Sequence, residues 1–102
     1  MARVGFKMKL KPGNEVEYKE RHDEVWPEML ALMRKSGIRN YSIYRDALTL
    51  FAYLEIDDPS VLDSLPQEEV VQKWWRYMEP LMECNPDSSP VMTTLQEAFH
   101  MD

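Results

Sequence analysis

Two strand-like runs, Asn40 to Asp46 and Thr49 to Asp57, are separated only by Ala47 and Leu48. A two-residue gap leaves room for nothing except a hairpin, so the runs are expected to be antiparallel neighbours in one sheet. The tip carries neither Gly nor Asn, which leaves the turn type open. A lone hairpin is marginal in water, so the flanking sequence has to supply more strands and a covering layer.

The flanks do so. Arg3 to Lys11 alternates, with Val4, Phe6, Met8 and Leu10 on one face, the period of a half-buried strand. Pro12-Gly13-Asn14 is turn chemistry, and Asn14 is placed to cap a helix. From Glu15 to Lys35 the large residues Tyr18, His22, Val25, Trp26, Met29, Leu30 and Met33 fall at helical spacing. Pro27 interrupts the run, either kinking one helix or opening a second, and Ser36-Gly37 supplies the stop. After the hairpin, Asp58-Pro59-Ser60 opens a short helical piece reaching about Leu65. Gln67 to Met82 again has helical spacing, with Pro80 near its end. Asn85 to Pro90 reads as a loop, and Leu95 to Met101 as a last strand.

Strand, helix, strand, strand, helix, strand is the ferredoxin-like α+β order, βαββαβ. It predicts one antiparallel sheet of four strands with the helices on one face. The chain's 102 residues suit one domain, 1–102. The uncovered face would carry Tyr44, Phe51 and Tyr53, and a second copy packed sheet to sheet would cover them, so a homodimer is expected.

Composition removes several function classes. Twelve Lys+Arg against eighteen Asp+Glu give a net charge of −6, and residues 57–102 hold only Lys73 and Arg76 as bases, so no nucleic-acid partner is expected. No stretch is long and apolar enough for a membrane span, and Met1 to Lys11 lacks the apolar run of a signal peptide. Cys84 is alone, so there is no disulfide framework, and a cytoplasmic setting is expected. His22 and His100 lie on separate elements, no metal-binding spacing occurs, and three Gly cannot build a phosphate loop. Neither metal nor cofactor is expected.

Two constellations could carry chemistry. Tyr18 and His22 are four apart and project from one helical face, which continues through Val25, Met29 and Met33 and so looks inward. A phenol and an imidazole there suit acid/base work near neutrality; a partly buried His bonded to a neighbour is the plainer reading. Trp74 and Trp75 are adjacent on a helix and point about 100° apart, so one belongs to the core and the other to a groove wall where it could face a sugar ring. Simple packing of both is the alternative. Tyr41 adds a phenol, while Asn85 and Asp87 are short polar groups that could fix hydroxyls or merely make local turns. Glu15, Glu17 and Glu20 read as a solvated face partnered by Lys19 and Arg21.

These residues stand in a familiar order. Tyr18-Lys-Glu-Arg-His22, Trp26-Pro-Glu28, Gly37, Asn40-Tyr41-Ser-Ile-Tyr44, Phe51 to Ile56, Trp74-Trp75 with Tyr77-Met78, Asn85-Pro-Asp-Ser-Ser-Pro90 and Leu95-Gln-Glu97 resemble the L-rhamnose mutarotase family across nearly the whole chain. The hairpin between Asp46 and Leu50, short for the family, and Cys84 before Asn85 are the departures. The resemblance implies a dimeric α+β barrel and a cofactor-free isomerase interconverting the anomers of L-rhamnose. It also implies that His22 is the acid/base residue, that Tyr18 and Tyr41 contact the sugar, and that Trp74 and Trp75 frame it. On this reading His22 protonates the ring oxygen, and a tyrosine or water handles the anomeric hydroxyl. The competing expectations are a non-catalytic small-ligand-binding module and a cofactor-free monooxygenase, the second resting on fold alone.

Overall fold

The computed structural model describes residues 1–102. Its regular elements are β1 (Ala2–Lys9), α1 (Glu15–Asp23), α2 (Pro27–Lys35), β2 (Ile38–Asp46), β3 (Thr49–Ile56), α3 (Glu69–Met78) and β4 (Thr93–Leu95). The four strands form one sheet in the order β2-β3-β1-β4, every pairing antiparallel. This is the ferredoxin-like order with the hairpin β2–β3 where the sequence puts it. The turn closes with Ala47 at φ 52°, and Arg45 donates from its guanidinium to the Ala47 carbonyl.

Pro27 starts a second helix rather than kinking one. It occupies the first turn of α2, where its missing N–H leaves no bond unmade. Gly37 follows α2 at φ 83°, the left-handed position that glycine takes without penalty. Asn14 does stand before α1, but its amide donates to the Lys11 carbonyl at 3.2 Å and makes no side-chain cap. Asp58 does cap, accepting from the Ser60 N–H at 3.0 Å and opening a 3-10 turn over Pro59–Asp63.

Several boundaries differ from expectation, among them the start of β2, which is Ile38 and not Asn40. β1 ends at Lys9, and Leu10 makes only an isolated bridge to Met82. α3 begins at Glu69 and gives way to a 3-10 turn over Glu79–Leu81, because Pro80 cannot donate to the helical ladder. The last strand is Thr93–Leu95, pairing with Gly5 to Lys7, and not Leu95 to Met101. The alternating Leu95, Phe99 and Met101 find no surface of this chain to cover them, and Phe99 stays 82 % exposed.

The helices lie on one face. Met8, Leu50 and Ala52 from the sheet cluster with Tyr18, Trp74 and Met78 from the helices, while Ile38, Leu54 and Ile56 form a smaller cluster. α2 contributes no fully buried residue; its Met29 and Met33 are only half covered. Only 14 of 102 residues are buried, and a cavity is left between the helices and the sheet. The opposite face is bare, with Tyr44 70 % exposed and Phe51 beside it in register.

Candidate active site

The hollow consists of two connected lobes. One, of about 630 Å³, is lined by Tyr18, His22, Tyr41 and Trp74 and rimmed by the charged Glu15, Lys19, Asp23 and Arg45. The other, of about 420 Å³, shares those four residues, adds Trp75, and is otherwise mostly apolar. Tyr18, His22, Tyr41, Trp74 and Trp75, named from sequence, are therefore brought together around one space. Asn85 and Asp87 are not among its walls. The Asn85 amide donates to Ser89 Oγ at 3.0 Å, and Asp87 accepts from the Ser89 N–H at 3.0 Å, so both serve to close their own loop.

Each side chain arrives there for a local reason. The spacing of four sets Tyr18 and His22 one turn apart on α1, their ring centroids 4.3 Å from each other. Trp74 stands edge-on to His22 at 5.4 Å and edge-on to Trp26 at 5.1 Å, and only 7 % of its surface is exposed. Trp75, turned about 100° away, is half-buried on the wall of the inner lobe. Trp74 is thus the core member of the pair and Trp75 the wall member, although Trp74 also reaches the cavity.

α1 and α3 are tied at their far side. The Arg21 guanidinium lies 4.1 Å from the Tyr77 ring centroid, donates to the Tyr77 carbonyl and pairs with Glu17. The acidic first turns of α1 thus have the basic partner expected in Arg21, whereas Lys19 pairs with Asp23 at 2.9 Å. Glu15 turns to the rim of the outer lobe.

Most polar atoms on the aromatic rings around the hollow are unengaged. Hydrogen bonds within the chain reach neither hydroxyl of Tyr18 and Tyr41, nor His22 Nε2, nor either indole N–H. No enclosed side-chain polar atom lacks a partner. The free groups on Tyr18, His22, Trp74 and Trp75 are therefore open to the cavity rather than stranded. His22 Nδ1 is different, lying 3.1 Å from the Tyr18 carbonyl oxygen. A carbonyl can only accept, so Nδ1 carries the proton and donates, and the neutral ring presents a lone pair at Nε2.

Burial sets the protonation states. It lowers the His22 pKa from its ordinary 6.5, outweighing the Tyr18 carbonyl and the nearby Asp23, which favour the cation. Burial raises the Tyr18 phenol well above its usual range, with the Tyr41 phenol adding to the effect. Tyr41 keeps 38 % of its surface accessible, yet burial of its phenol pushes it up to about 12. Around neutrality the cavity thus holds one imidazole acceptor and two phenol donors. No three His, Cys, Asp or Glu side chains are gathered so as to hold a metal ion.

Sequence reasoning missed part of the wall. Met29 and Met33 read as a core stripe, and Ile43 as a strand residue, but all three line both lobes. The methionine content of that stripe was the available signal, since flexible thioethers commonly border binding surfaces. Arg45, on the rim, and Asp63, the only acid in the inner lobe, had no signal in spacing.

The chain is similar to known proteins over its whole length. The family model for L-rhamnose mutarotase matches residues 3–101. An L-rhamnose mutarotase of Bacteroides thetaiotaomicron is 51 % identical over 104 aligned positions covering all of both chains, and one of Listeria monocytogenes is 48 % identical over 99 % of both. A crystal structure of an L-rhamnose mutarotase from Formosa agariphila superposes with a TM-score of 0.93 at 42 % identity, covering both chains completely. On these grounds the chain belongs to the L-rhamnose mutarotase family.

Proposed function

We propose that the chain interconverts the α and β anomers of L-rhamnose, with His22 as the base and Tyr41 as the acid. Family membership carries the coarser part, a sugar isomerase of the mutarotase class. The observation that carries the finer part is the protonation pattern, a free Nε2 lone pair on His22 and a neutral Tyr41 phenol lining the same cavity.

In ring opening, His22 Nε2 takes the proton of the anomeric hydroxyl as the C1–ring-oxygen bond breaks. The departing ring oxygen is a stronger base than a phenolate, so it takes the Tyr41 proton. The free aldehyde turns about its C1–C2 bond. On closure the ring oxygen attacks the other face of C1, returns a proton to Tyr41, and the imidazolium protonates the new anomeric oxygen. Every proton is restored. This order reverses the one expected from sequence, because a neutral His22 whose only N–H is engaged by the Tyr18 carbonyl has no proton to give first. Positioned proton transfer of this kind typically contributes ~10²–10⁴-fold, enough for a reaction that already proceeds in water.

Trp75 and the indole edge of Trp74 serve as the sugar wall, and Tyr18 as a hydroxyl contact beside His22. The enzyme works as a homodimer in the cytoplasm: the exposed Tyr44 and Phe51 support the first, and the single Cys84 the second. No observation favours a silent binding module or a monooxygenase. The test is anomer exchange followed by saturation-transfer NMR on L-rhamnose with the wild type, His22→Gln and Tyr41→Phe. Folded variants exchanging at the wild-type rate would remove the mechanism.

A further inference from the structure

Tyr41 is on the wrong face by simple alternation. Ile38 is buried on the helix side of β2, and strand residues alternate, so an unbroken strand would send Tyr41 to the outer face. The register shows why it does not go there. Arg39 pairs with Glu55 and Ser42 with Tyr53, so Asn40 and Tyr41 together oppose the single residue Leu54. That is a β-bulge, one residue inserted into one strand. Beyond it Ile43 pairs with the buried Ala52, and Tyr41, two residues before Ile43, shares the cavity face.

The inserted residue is Asn40, whose φ is 51°. Asn tolerates this left-handed backbone far better than other side chains that carry a Cβ. Its side chain also anchors the bulge. Asn40 Nδ2 donates to Glu55 Oε1 at 2.8 Å, and the same carboxylate accepts from the Tyr53 hydroxyl at 2.8 Å.

We infer that Asn40 is a positioning residue: the left-handed bulge it forms, tied across the hairpin to Glu55, is what aims the Tyr41 phenol into the cavity. Asn40 is not itself one of the residues lining the cavity and acts through Tyr41. Its effect on turnover rests on the acid role proposed for Tyr41, whereas its effect on where the phenol sits does not.

The experiment compares Asn40→Ala, which resists the left-handed backbone, with Asn40→Gly, which adopts it freely. Two quantities are read: kcat/KM for anomer exchange, and the titration of the Tyr41 Cζ resonance in tyrosine-labelled protein, assigned by its loss in Tyr41→Phe. The expected result for Asn40→Ala is a fall of about tenfold in kcat/KM, the scale of one lost hydrogen bond. In the same variant the phenol titration should move from about 12 towards the ordinary 10. Asn40→Gly should keep the phenol titration and most of the activity. In a Tyr41→Phe background Asn40→Ala should cost nothing further. An unmoved phenol titration in folded Asn40→Ala overturns the inference whatever the activity does, and so does an equal loss with and without the Tyr41 hydroxyl. A moved titration with unchanged exchange keeps the positioning role and counts instead against Tyr41 as the acid.

Discussion

His22 Nδ1 lies 3.1 Å from the carbonyl oxygen of Tyr18, one turn earlier on the same helix. This contact decides which nitrogen is free for chemistry, and it ties the orientation of the imidazole to backbone rather than to another side chain. A backbone acceptor cannot change rotamer or ionise, so the tautomer is fixed as firmly as α1 itself. His22→Gln should therefore lose exchange by about 10²-fold or more with little change in KM, since the amide still fills the site but cannot take a proton. Saturation-transfer NMR checks the rate, and far-UV circular dichroism checks that the variant is folded.

The pH dependence follows from the direction of the His22 shift. Its folded-state pKa lies below 6.5, so the neutral base persists below neutrality, and exchange should fall only as pH drops through that lowered value. Stability has the same sign. Between the lowered folded value and 6.5 the unfolded chain binds the extra proton, so the stability present above 6.5 is lost as pH falls through that window. Denaturant melts of the wild type and His22→Gln between pH 7 and 5 isolate the contribution, since the shared carboxylate titrations cancel. A wild-type curve no steeper than the variant's would count against burial of a neutral His22.

Much of this site could be seen in the chain before its structure. Tyr18 and His22 were paired by helical spacing, and the Trp74–Trp75 division into core and wall followed from helix geometry. The hairpin was dictated by the two residues available to turn it. What escaped was whatever depends on register. The bulge at Asn40 has no pattern of its own in sequence, yet it decides the face on which Tyr41 lies. The last strand was misplaced because Leu95, Phe99 and Met101 alternate as a strand would, while only Thr93–Leu95 finds β1 to pair with. The Arg21–Tyr77 contact joins elements 56 residues apart and lies beyond any local reading.

The two tryptophans should separate in experiment. Trp74 is 7 % exposed and packed edge-on to both His22 and Trp26, so Trp74→Ala should cost about 3–5 kcal/mol of stability through the cavity it leaves. Trp75 is half-buried on the inner lobe, and Trp75→Ala should leave stability nearer the wild type. Its cost should fall on sugar affinity, about 1 kcal/mol or roughly fivefold for a lost aromatic face. Urea unfolding and titration calorimetry with L-rhamnose read the two effects. Equal stability losses in the pair would contradict the core and wall assignment.

The bare sheet face gives the last prediction. Tyr44 and Phe51 are opposite each other in register on the face away from the helices, with Tyr53 and Leu95 on the same side. Aromatic rings left exposed on one face of a sheet, here among Arg3, Lys7, Arg39 and Glu55, make a surface that association covers. Light scattering coupled to size exclusion should thus give the wild type twice its monomer mass of 12.1 kDa. Phe51→Asp tests whether this face is responsible. In a monomer the new carboxylate would lie at the surface beside Lys7, its neighbour on β1, so the fold should survive, whereas between two sheets it would be desolvated among aromatic rings and association should weaken sharply. A folded Phe51→Asp protein that stays dimeric would move the interface elsewhere, and a wild type that runs as a monomer at micromolar concentration would refute the dimer itself.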